Sequence, residues 1–401
     1  MARVGLGMSK AGRKLLALSL PAVAIAGLVS VMLVETWVRL QWDEKRGTPG
    51  FFLADPVRGN RLASGYRGFF AGVPVHINSL GFRDSREYSL EKSPGTFRIL
   101  VLGDSVTFGH GTLDETTYPF LLEQRLRQWQ PDVKWEVWNL GVPGYNTSQE
   151  LAYLTEVGSR YDPDLAIVGF FANDLTDNTL PAAPSLSRRA TRGVQRLMQQ
   201  HLYSYEFYKR TFLTARWRLM TGEDDRRRIE NLSGEEALLG RMEDLSADDD
   251  QKLGAVDTFD DQQVRDFTCP VLGPRDGGGD RLAAAVRKQS SETLAWIAAV
   301  RGLQRLNRDG AYRVMFFINM APDICAREDR FHNGGSLDDD EALREILGDG
   351  APVAGSTRAF LRYRPSQMPG ANNHSFGNAN RVKADALFDF LRTSSLLPPA
   401  H

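Results

Sequence analysis

Cysteine is scarce in this chain of 401 residues, in which Cys269 and Cys325 are the only two. Two cysteines exclude a disulfide-rich scaffold and a zinc site built from cysteine ligands. They can form one disulfide in an oxidising compartment, or they can stay as two unpaired, buried thiols. The sequence is consistent with either state of the pair.

Net charge is almost absent as well. Lys and Arg together number 49 and Asp and Glu number 50, so the formal net charge is −1. Without a basic excess the chain does not attract a phosphate backbone, and we expect no nucleic-acid partner. Histidine is also rare, and His201, His332 and His401 lack the spacing of metal ligands. We therefore expect neither a metal site nor a cofactor.

Long apolar runs are missing except for residues 15–34, which are uncharged, mostly apolar and long enough to span a bilayer as a helix. Basic residues precede this run, and acidic residues dilute the basic ones that follow it. The asymmetry predicts a cytoplasmic tail at 1–14 and a globular part on the periplasmic or extracellular side of the membrane. A cleaved signal peptide, cut near Ala22–Ala26, is the competing interpretation. Because the apolar run continues well past these residues, an uncleaved single-pass anchor is favoured.

From residue 97 onward, buried strands alternate with helices. Four runs are predicted to be strands, namely 99–102, 135–140, 165–171 and 312–318. Of these, 99–102 and 165–171 are apolar throughout and indicate strands that are buried on both faces. Apolar residues at helical spacing occupy the stretches 118–128, 148–160, 281–307 and 379–393. Strands that are separated by single helices pair in parallel. The pattern predicts an α/β domain formed by residues 97–180 and 281–395.

Two further regions flank or interrupt this domain. Residues 35–96 contain Gly and Pro punctuation and short β-like pieces, which predict a stalk and a β lead-in packed on the main domain. Residues 181–280 are polar and rich in charge. A structureless loop of this length is improbable inside a compact domain, so we expect a helical insertion with a lid or tether.

Candidate catalytic residues follow three of the predicted strands. Gly103-Asp104-Ser105 follows the first strand, residues 141–144 follow the second, and Asn173-Asp174 follows the third. Ligands of an open α/β sheet bind outside the carboxyl ends of its strands. Ser105 is therefore a candidate nucleophile, although a serine at this place can also simply cap the next helix. His374, just before the last helix, is the candidate base, and His110 is expected to line the pocket wall.

An acyl-transfer site needs a nucleophile, a base and donors aimed at the developing oxyanion. Ser105 supplies the hydroxyl, and His374 can take its proton. The backbone N–H of Gly144 can approach an oxyanion closely because glycine has no Cβ. The carboxamide of Asn173 is a neutral donor. The predicted oxyanion hole thus consists of the Ser105 and Gly144 N–H groups and the Asn173 side chain.

Four sequence blocks in this order resemble the SGNH hydrolases of the GDSL esterase/lipase superfamily. The matching residues are 103–109 (GDSVTFG), 139–147 (NLGVPGYNT), 172–174 (AND), and His374 with Asn380, Arg381 and Ala384. The resemblance covers roughly 97–178 and 281–392. It implies a three-layer α/β/α domain with a flavodoxin-like parallel sheet of about five strands. It also implies that Ser105, Gly144, Asn173 and His374 form one esterase site.

One position departs from the family pattern. Relatives usually carry an Asp two or three residues before the His, where it orients the imidazole, but this chain has Ala371 and Asn372 there. Asn372 is a candidate orienting residue, yet it cannot stabilise an imidazolium as an acid does. The corresponding Asp-to-Asn change in a serine protease lowers kcat by about 10⁴. A Ser–His dyad, an acid recruited from elsewhere, such as Asp323, and a degenerate site are all consistent with this departure.

The sequence therefore predicts an exported, membrane-anchored serine esterase that acts on a small-molecule or polysaccharide ester, with a carbohydrate O-acetyl group as the leading substrate. An O-acyltransferase on a cell-envelope polysaccharide would use the same residues, with a sugar hydroxyl in place of water as the acceptor. A non-catalytic carbohydrate-binding scaffold is the alternative from a different class, and Ala371 and Asn372 are the residues that favour it.

Overall fold

The computed structural model describes most of the α/β domain and its N-terminal helix. The described residues are 10–42, 47–171, 174, 178, 193–194, 197–208, 211–212, 291–309, 312–319, 346–348, 351–360, 363, 370–371 and 374–399. Most of the predicted insertion at 181–280 lies outside them. The same holds for Asn173, Asn372, Asp323 and both cysteines.

The helices and strands follow one another in the order that the alternation predicts. They are α1 (Lys10–Gln41), β1 (Phe52–Asp55), β2 (Gly59–Leu62), β3 (Arg67–Phe70), β4 (Val73–His76), β5 (Thr96–Gly103), α2 (Ser105–Phe108), α3 (Tyr118–Trp129), β6 (Lys134–Gly141), α4 (Thr147–Tyr161), β7 (Leu165–Phe170), α5 (Ser291–Asp309), β8 (Arg313–Ile318), β9 (Val353–Gly355), α6 (Thr357–Phe360), β10 (Gly370–Ala371), β11 (His374–Ser375) and α7 (Gly377–Thr393).

The central feature is a five-stranded sheet with the spatial order β6-β5-β7-β8-β9. All neighbouring strands of this sheet pair in parallel. Numbered along the chain within the sheet, the order is 2-1-3-4-5, which is the flavodoxin-like order. Helices α4 and α5 contact each other on one face, and α3 and α7 contact each other on the opposite face. The predicted three-layer α/β/α fold is confirmed.

Alternate residues of β5 face two separate cores. Leu100 and Leu102 belong to the core beneath α4 and α5, whereas Ile99 and Val101 belong to the core beneath α3 and α7. All four side chains are fully buried. The unbroken apolar run at 99–102 is therefore explained by a strand that is covered on both faces.

Two β-hairpins precede the sheet, one formed by β1 and β2 and the other by β3 and β4. Phe51, Val75 and Phe82, in and beside these hairpins, are buried in the same core as Leu100 and Leu102. The hairpins therefore pack directly onto the α/β domain and share its hydrophobic interior.

Helix α1 is long and apolar enough to cross a membrane over Pro21–Gln41. This stretch begins later and ends later than the predicted anchor at 15–34. Its large apolar side chains are mostly uncovered by the protein, as Val23, Leu28 and Leu33 are 69%, 61% and 66% exposed. An amphipathic helix of a soluble protein buries one such face, which α1 does only near its C-terminal end.

Three glycines form a row across the carboxyl edge of the sheet. Gly103 of β5 pairs in register with Gly141 of β6 and with Gly169 of β7. Helix α2 packs directly on this row. A Cβ on Gly141 would lie 2.3 Å from the backbone nitrogen of Phe108, and a Cβ on Gly169 would lie 2.5 Å from Thr107 Oγ1. Only glycine permits this approach, so the glycine row allows α2 to rest on the strand ends.

Candidate active site

Ser105 is the first residue of α2 and stands at the carboxyl end of β5. Asp104 caps this turn, because its carboxylate accepts a hydrogen bond of 2.8 Å from the N–H of Val106. The turn closes at Gly109, which has a left-handed backbone with φ of 85°. The N–H groups of Gly109 and His110 both donate to the Ser105 carbonyl at 3.0 Å. Ser105 is thereby held, half-buried, above the edge of the sheet.

His374 begins β11, which pairs with β10 in a short antiparallel hairpin before α7. Asn380, one of the residues that match the fourth family block, ties this hairpin to the loop after α2. Ser375 Oγ donates to Asn380 Oδ1 at 2.8 Å, and Asn380 Nδ2 donates to the Thr116 carbonyl at 3.0 Å. The buried Asn380 thus fixes the strand that carries the imidazole relative to the loop that carries the hydroxyl.

The two candidate reacting groups lie in contact. His374 Nε2 is 2.8 Å from Ser105 Oγ, although 269 residues separate them in the chain. This separation is within the range at which a base can take the proton of a hydroxyl nucleophile. Both side chains are half-buried, so the pair is held by the protein and still open to a ligand.

Gly144 lies in the loop between β6 and α4, where it is exposed and has φ of 81°. The N–H of Tyr145 donates to the Val142 carbonyl at 3.0 Å and closes a turn around Pro143 and Gly144. A positive φ after proline is typical of a type II turn and favours glycine at that position. The backbone of this loop is therefore pre-shaped.

Asp174 connects the loop after β7 to the start of α4. Its carboxylate accepts hydrogen bonds from the N–H of Phe171, at 2.8 Å, and from the N–H of Thr147. These bonds hold the third sequence block against the second. Asn173, the residue before Asp174, lies outside the described residues, so its place in the oxyanion hole stays a prediction.

Acidic and basic side chains are buried behind the site. Burial, followed by the charges of Asp174 and Asp104, raises the pKa of Glu150 well above its usual value. Neither carboxyl oxygen of Glu150 has a hydrogen-bond partner in the part of the chain that the structure describes. Burial therefore favours the protonated, uncharged form of Glu150. On α7, burial lowers the pKa of Lys383 to about 7, and the charge of Asp104 opposes this shift.

No cluster of His, Cys, Asp or Glu among the described residues is arranged to hold a metal ion.

Arg83 supports the loop after Ser105 and is not among the candidates that the sequence predicts. Its side chain is fully buried, and Nε lies 2.7 Å from Asp114 Oδ1. The same Asp114 pairs with His76 Nδ1 at 2.9 Å. The Arg83 guanidinium also donates to three backbone carbonyls, those of Phe108, Gly109 and Thr112. No local pattern marks this role, because a charged residue in a turn is normally exposed.

His110, expected to line the pocket wall, stacks on the candidate base. The His110 and His374 rings lie 4.5 Å apart with 25° between their planes, and Phe70 packs edge-on against His110 at 5.3 Å. Burial, followed by the positive charge of Arg83, lowers the pKa of His110 to about 4. His110 is therefore neutral near neutral pH and presents an uncharged ring face to His374.

Comparison with known proteins agrees with the first three of the four sequence blocks. Residues 101–237 match the GDSL-like Lipase/Acylhydrolase family. This range contains Ser105, Gly144 and Asn173, and it extends past residue 178 into the segment that the predicted resemblance left out. This part of the chain is similar to the GDSL-like lipase/acylhydrolase family, and the predicted resemblance to SGNH hydrolases is confirmed. No curated protein sequence matches the chain.

Several solved structures are similar to this chain at low identity. Axe2, an acetylxylan esterase from Geobacillus stearothermophilus, is 11% identical over 76% of this chain and 97% of its own, with a TM-score of 0.35. CEX, a two-domain esterase active on acetylated mannans, is 12% identical over 76% of this chain and 52% of its own, with a TM-score of 0.34. The lipase Lip_vut3 from a goat rumen metagenome is 11% identical over 75% of this chain and 100% of its own, with a TM-score of 0.31.

The depressed pKa of His110 predicts how stability depends on pH. In the unfolded chain His110 binds a proton near its ordinary pKa of about 6.5, whereas in the folded protein it does so only near a pKa of about 4. Between these values the unfolded state binds more protons, so the free energy of unfolding falls as pH is lowered from about 6.5 towards 4. His110→Phe keeps a flat ring but cannot ionise. We predict a shallower loss of stability for this variant in that window, measured by chemical denaturation at several pH values. The same slope for both proteins would contradict the assignment.

Proposed function

We propose that this protein is an exported, membrane-anchored serine esterase that hydrolyses an ester, with a carbohydrate O-acetyl group as its substrate class. The observation that carries the proposal is the 2.8 Å contact between His374 Nε2 and Ser105 Oγ. The match to the lipase/acylhydrolase family supports ester hydrolysis as the reaction class. The apolar helix α1 supports attachment to a membrane.

Catalysis begins when His374 takes the proton of Ser105 and Ser105 Oγ attacks the ester carbonyl carbon. The oxygen that becomes negative is received by the N–H groups of Ser105 and Gly144 and by the Asn173 carboxamide. The tetrahedral intermediate then expels the alcohol, which takes its proton from His374 and leaves Ser105 acylated. Water, deprotonated by His374, attacks the acyl carbon, releases the acid and restores the serine hydroxyl.

The imidazolium that forms in each half-reaction needs stabilisation, and Ala371 and Asn372 supply no negative charge. We assign part of this task to His110, whose neutral ring stacks on His374 at 4.5 Å. A cation over an aromatic face gains about 0.5–2 kcal/mol. Loss of the usual acid corresponds to about 10⁴ in rate, or roughly 5 kcal/mol. The stack therefore supplies less than half of the stabilisation that an orienting acid provides in a serine protease.

A non-catalytic carbohydrate-binding scaffold is the second candidate. The residues that favour it are Ala371 and Asn372, which stand where relatives carry the orienting acid. The two functions differ in one observable, which is whether an ester is turned over in a reaction that depends on Ser105.

We predict that the full chain in detergent micelles hydrolyses an aryl acetate, and that Ser105→Ala reduces the rate to the uncatalysed background because the nucleophile is lost. Ser89→Ala is the matched control, since Ser89 is an exposed serine outside the site. Release of the aryl alcohol, followed by absorbance, measures the rate. If Ser105→Ala and wild type have equal rates, the esterase is excluded and the binding scaffold is favoured.

Asn372→Asp should increase kcat, because it places a carboxylate where the family's acid orients the imidazole. We expect a gain of roughly 10-fold or more, since an acid at this place is worth up to about 10⁴ in a serine protease. Asn373→Asp is the matched control, because it adds the same charge one residue closer to His374. A gain in both variants would indicate a general charge effect and not an orienting acid, and no gain in Asn372→Asp would contradict the dyad mechanism.

A further inference from the structure

An apolar groove runs between α1 and a second helical segment. We name residues 197–212 the docking segment; its described residues are 197–208 and 211–212, most of them helical. The groove has a volume of about 970 Å³, and its walls include Val31, Val34, Leu202, Tyr205, Tyr208 and Phe212. No catalytic residue lines it, so it is separate from the proposed active site.

The docking segment is attached to α1 through Glu35. The Glu35 carboxylate accepts hydrogen bonds from the N–H of Tyr203 at 3.0 Å, the N–H of Ser204 at 2.9 Å and the Ser204 hydroxyl at 2.6 Å. Arg39 donates to Glu35 at 2.6 Å and to the His201 carbonyl at 2.9 Å. A carboxylate in an apolar helix is costly unless it is paired. The pairing of Glu35 with the docking segment therefore specifies where the two helices meet.

Aromatic side chains extend this contact towards the hydrolase domain. Trp37 packs edge-on against Phe207 at 6.3 Å, and Trp42 packs edge-on against Tyr203 at 5.4 Å. The Arg39 guanidinium lies over the Tyr203 ring at 4.6 Å. Tryptophan, tyrosine and basic residues are enriched where a span meets the membrane–water interface. The C-terminal end of α1 therefore marks the interface on the side of the hydrolase domain.

The depth of the groove follows from the part of α1 that forms its wall. Ser30, Val31 and Val34 line the groove. All three lie within the predicted anchor at 15–34 and also within the apolar stretch Pro21–Gln41. Either placement of α1 puts them in the hydrocarbon layer, which is about 30 Å thick. Tyr208, Thr211 and Phe212 of the docking segment line the same groove, so this end of the segment lies at that depth. Tyr203 and Phe207, which pack against Trp42 and Trp37, lie at the interface.

The uncovered side chains of the docking segment suit that depth. Tyr208 and Phe212 are 54% and 65% exposed, and they line the groove together with Val31 of α1, which is 51% exposed. A contiguous apolar surface of this kind marks a contact with a membrane or a partner. Its continuity with a membrane-spanning helix selects lipid as the partner.

We infer that the docking segment enters the membrane beside α1 and that an acyl chain of a bilayer lipid fills the groove between them. This inference rests on the membrane anchoring in the proposed function. The protein then contacts the bilayer through two elements joined by Glu35, and the hydrolase domain is held at the membrane surface in one orientation.

The test uses the full chain with Cys269→Ser and Cys325→Ser, reconstituted in phosphatidylcholine vesicles. Single cysteines introduced by Phe212→Cys, Leu28→Cys and Asp389→Cys carry an environment-sensitive fluorophore. Leu28 is an exposed residue of α1, and Asp389 is an exposed residue of α7. We expect a phosphatidylcholine with a spin label on its acyl chain to quench the labels at 212 and 28, and aqueous iodide to quench only the label at 389.

Two results of the quenching experiment would contradict the membrane entry of the docking segment. If the label at 28 is quenched by the lipid and the label at 212 is quenched by iodide as strongly as that at 389, the inference is wrong while the anchor stands. If the label at 28 is itself reached by iodide and not by lipid, the anchoring in the proposed function fails and this inference fails with it. Aryl acetate hydrolysis by the same samples reports separately on the esterase.

Occupancy of the groove is tested by cross-linking with a phosphatidylcholine that carries a diazirine near the end of its acyl chain. We expect the docking segment to be labelled in wild type and the labelling to be lost in Val34→Trp, which fills the groove from α1. Leu40→Trp is the matched control, because Leu40 is exposed on α1 and does not line the groove. Labelling of the docking segment that is unchanged by Val34→Trp would show that the acyl chain does not occupy the groove.

Discussion

The close packing of α2 on the carboxyl edge of the sheet is the constraint on which the site depends. Gly103, Gly141 and Gly169 lie side by side on neighbouring strands, and side chains there would overlap with Thr107 or with the backbone of Phe108. Because the three strands have no Cβ atom at these positions, the backbone of α2 packs directly against the strand backbones. Thr107 is then in hydrogen-bond contact with Tyr118 at 2.9 Å, which fastens the turn to α3. The position of Ser105 is thus set by strand ends and not by a free loop.

Segments that are distant in sequence hold this turn from the outside. Arg83, between the hairpins and the sheet, donates to backbone carbonyls at and after the end of α2 and is neutralised by Asp114 at 2.7 Å. Asn380 ties the His374 strand to Thr116 from the opposite end of the chain. The 2.8 Å contact of His374 with Ser105 is therefore a consequence of several buried polar bonds, each of which removes a degree of freedom from one of the two loops. A preorganised pair of this kind is what acyl transfer requires.

The sequence predicts the fold and the candidate site where a local pattern of residues determines the structure. The run at 99–102 predicted a strand covered on both faces because it contains no polar residue, and Ser105 and His374 were selected by the ordered family blocks. Roles that depend on tertiary contact left no such pattern. Arg83 stands in a turn that reads as exposed, and His110 acquires its role only because His374 is brought beside it from the end of the chain. The pairing of α1 with the docking segment joins residues 162 positions apart, so no local sequence pattern in either segment predicts the contact.

In the proposed function the hydrolase domain is held at the membrane surface, and the His110 ring stacked on His374 takes over part of the task of the family's acid. The proposed mechanism depends on the activation of Ser105 by His374. The most direct measurement is the rate at which a fluorophosphonate probe, which reacts with activated serines, modifies the full chain, with the adduct located by peptide mass. We predict one adduct on Ser105 in wild type and its loss in His374→Gln, in which the base is removed and the side chain remains polar. Equal rates of modification in the two proteins, or an adduct on a different residue, would contradict the claim.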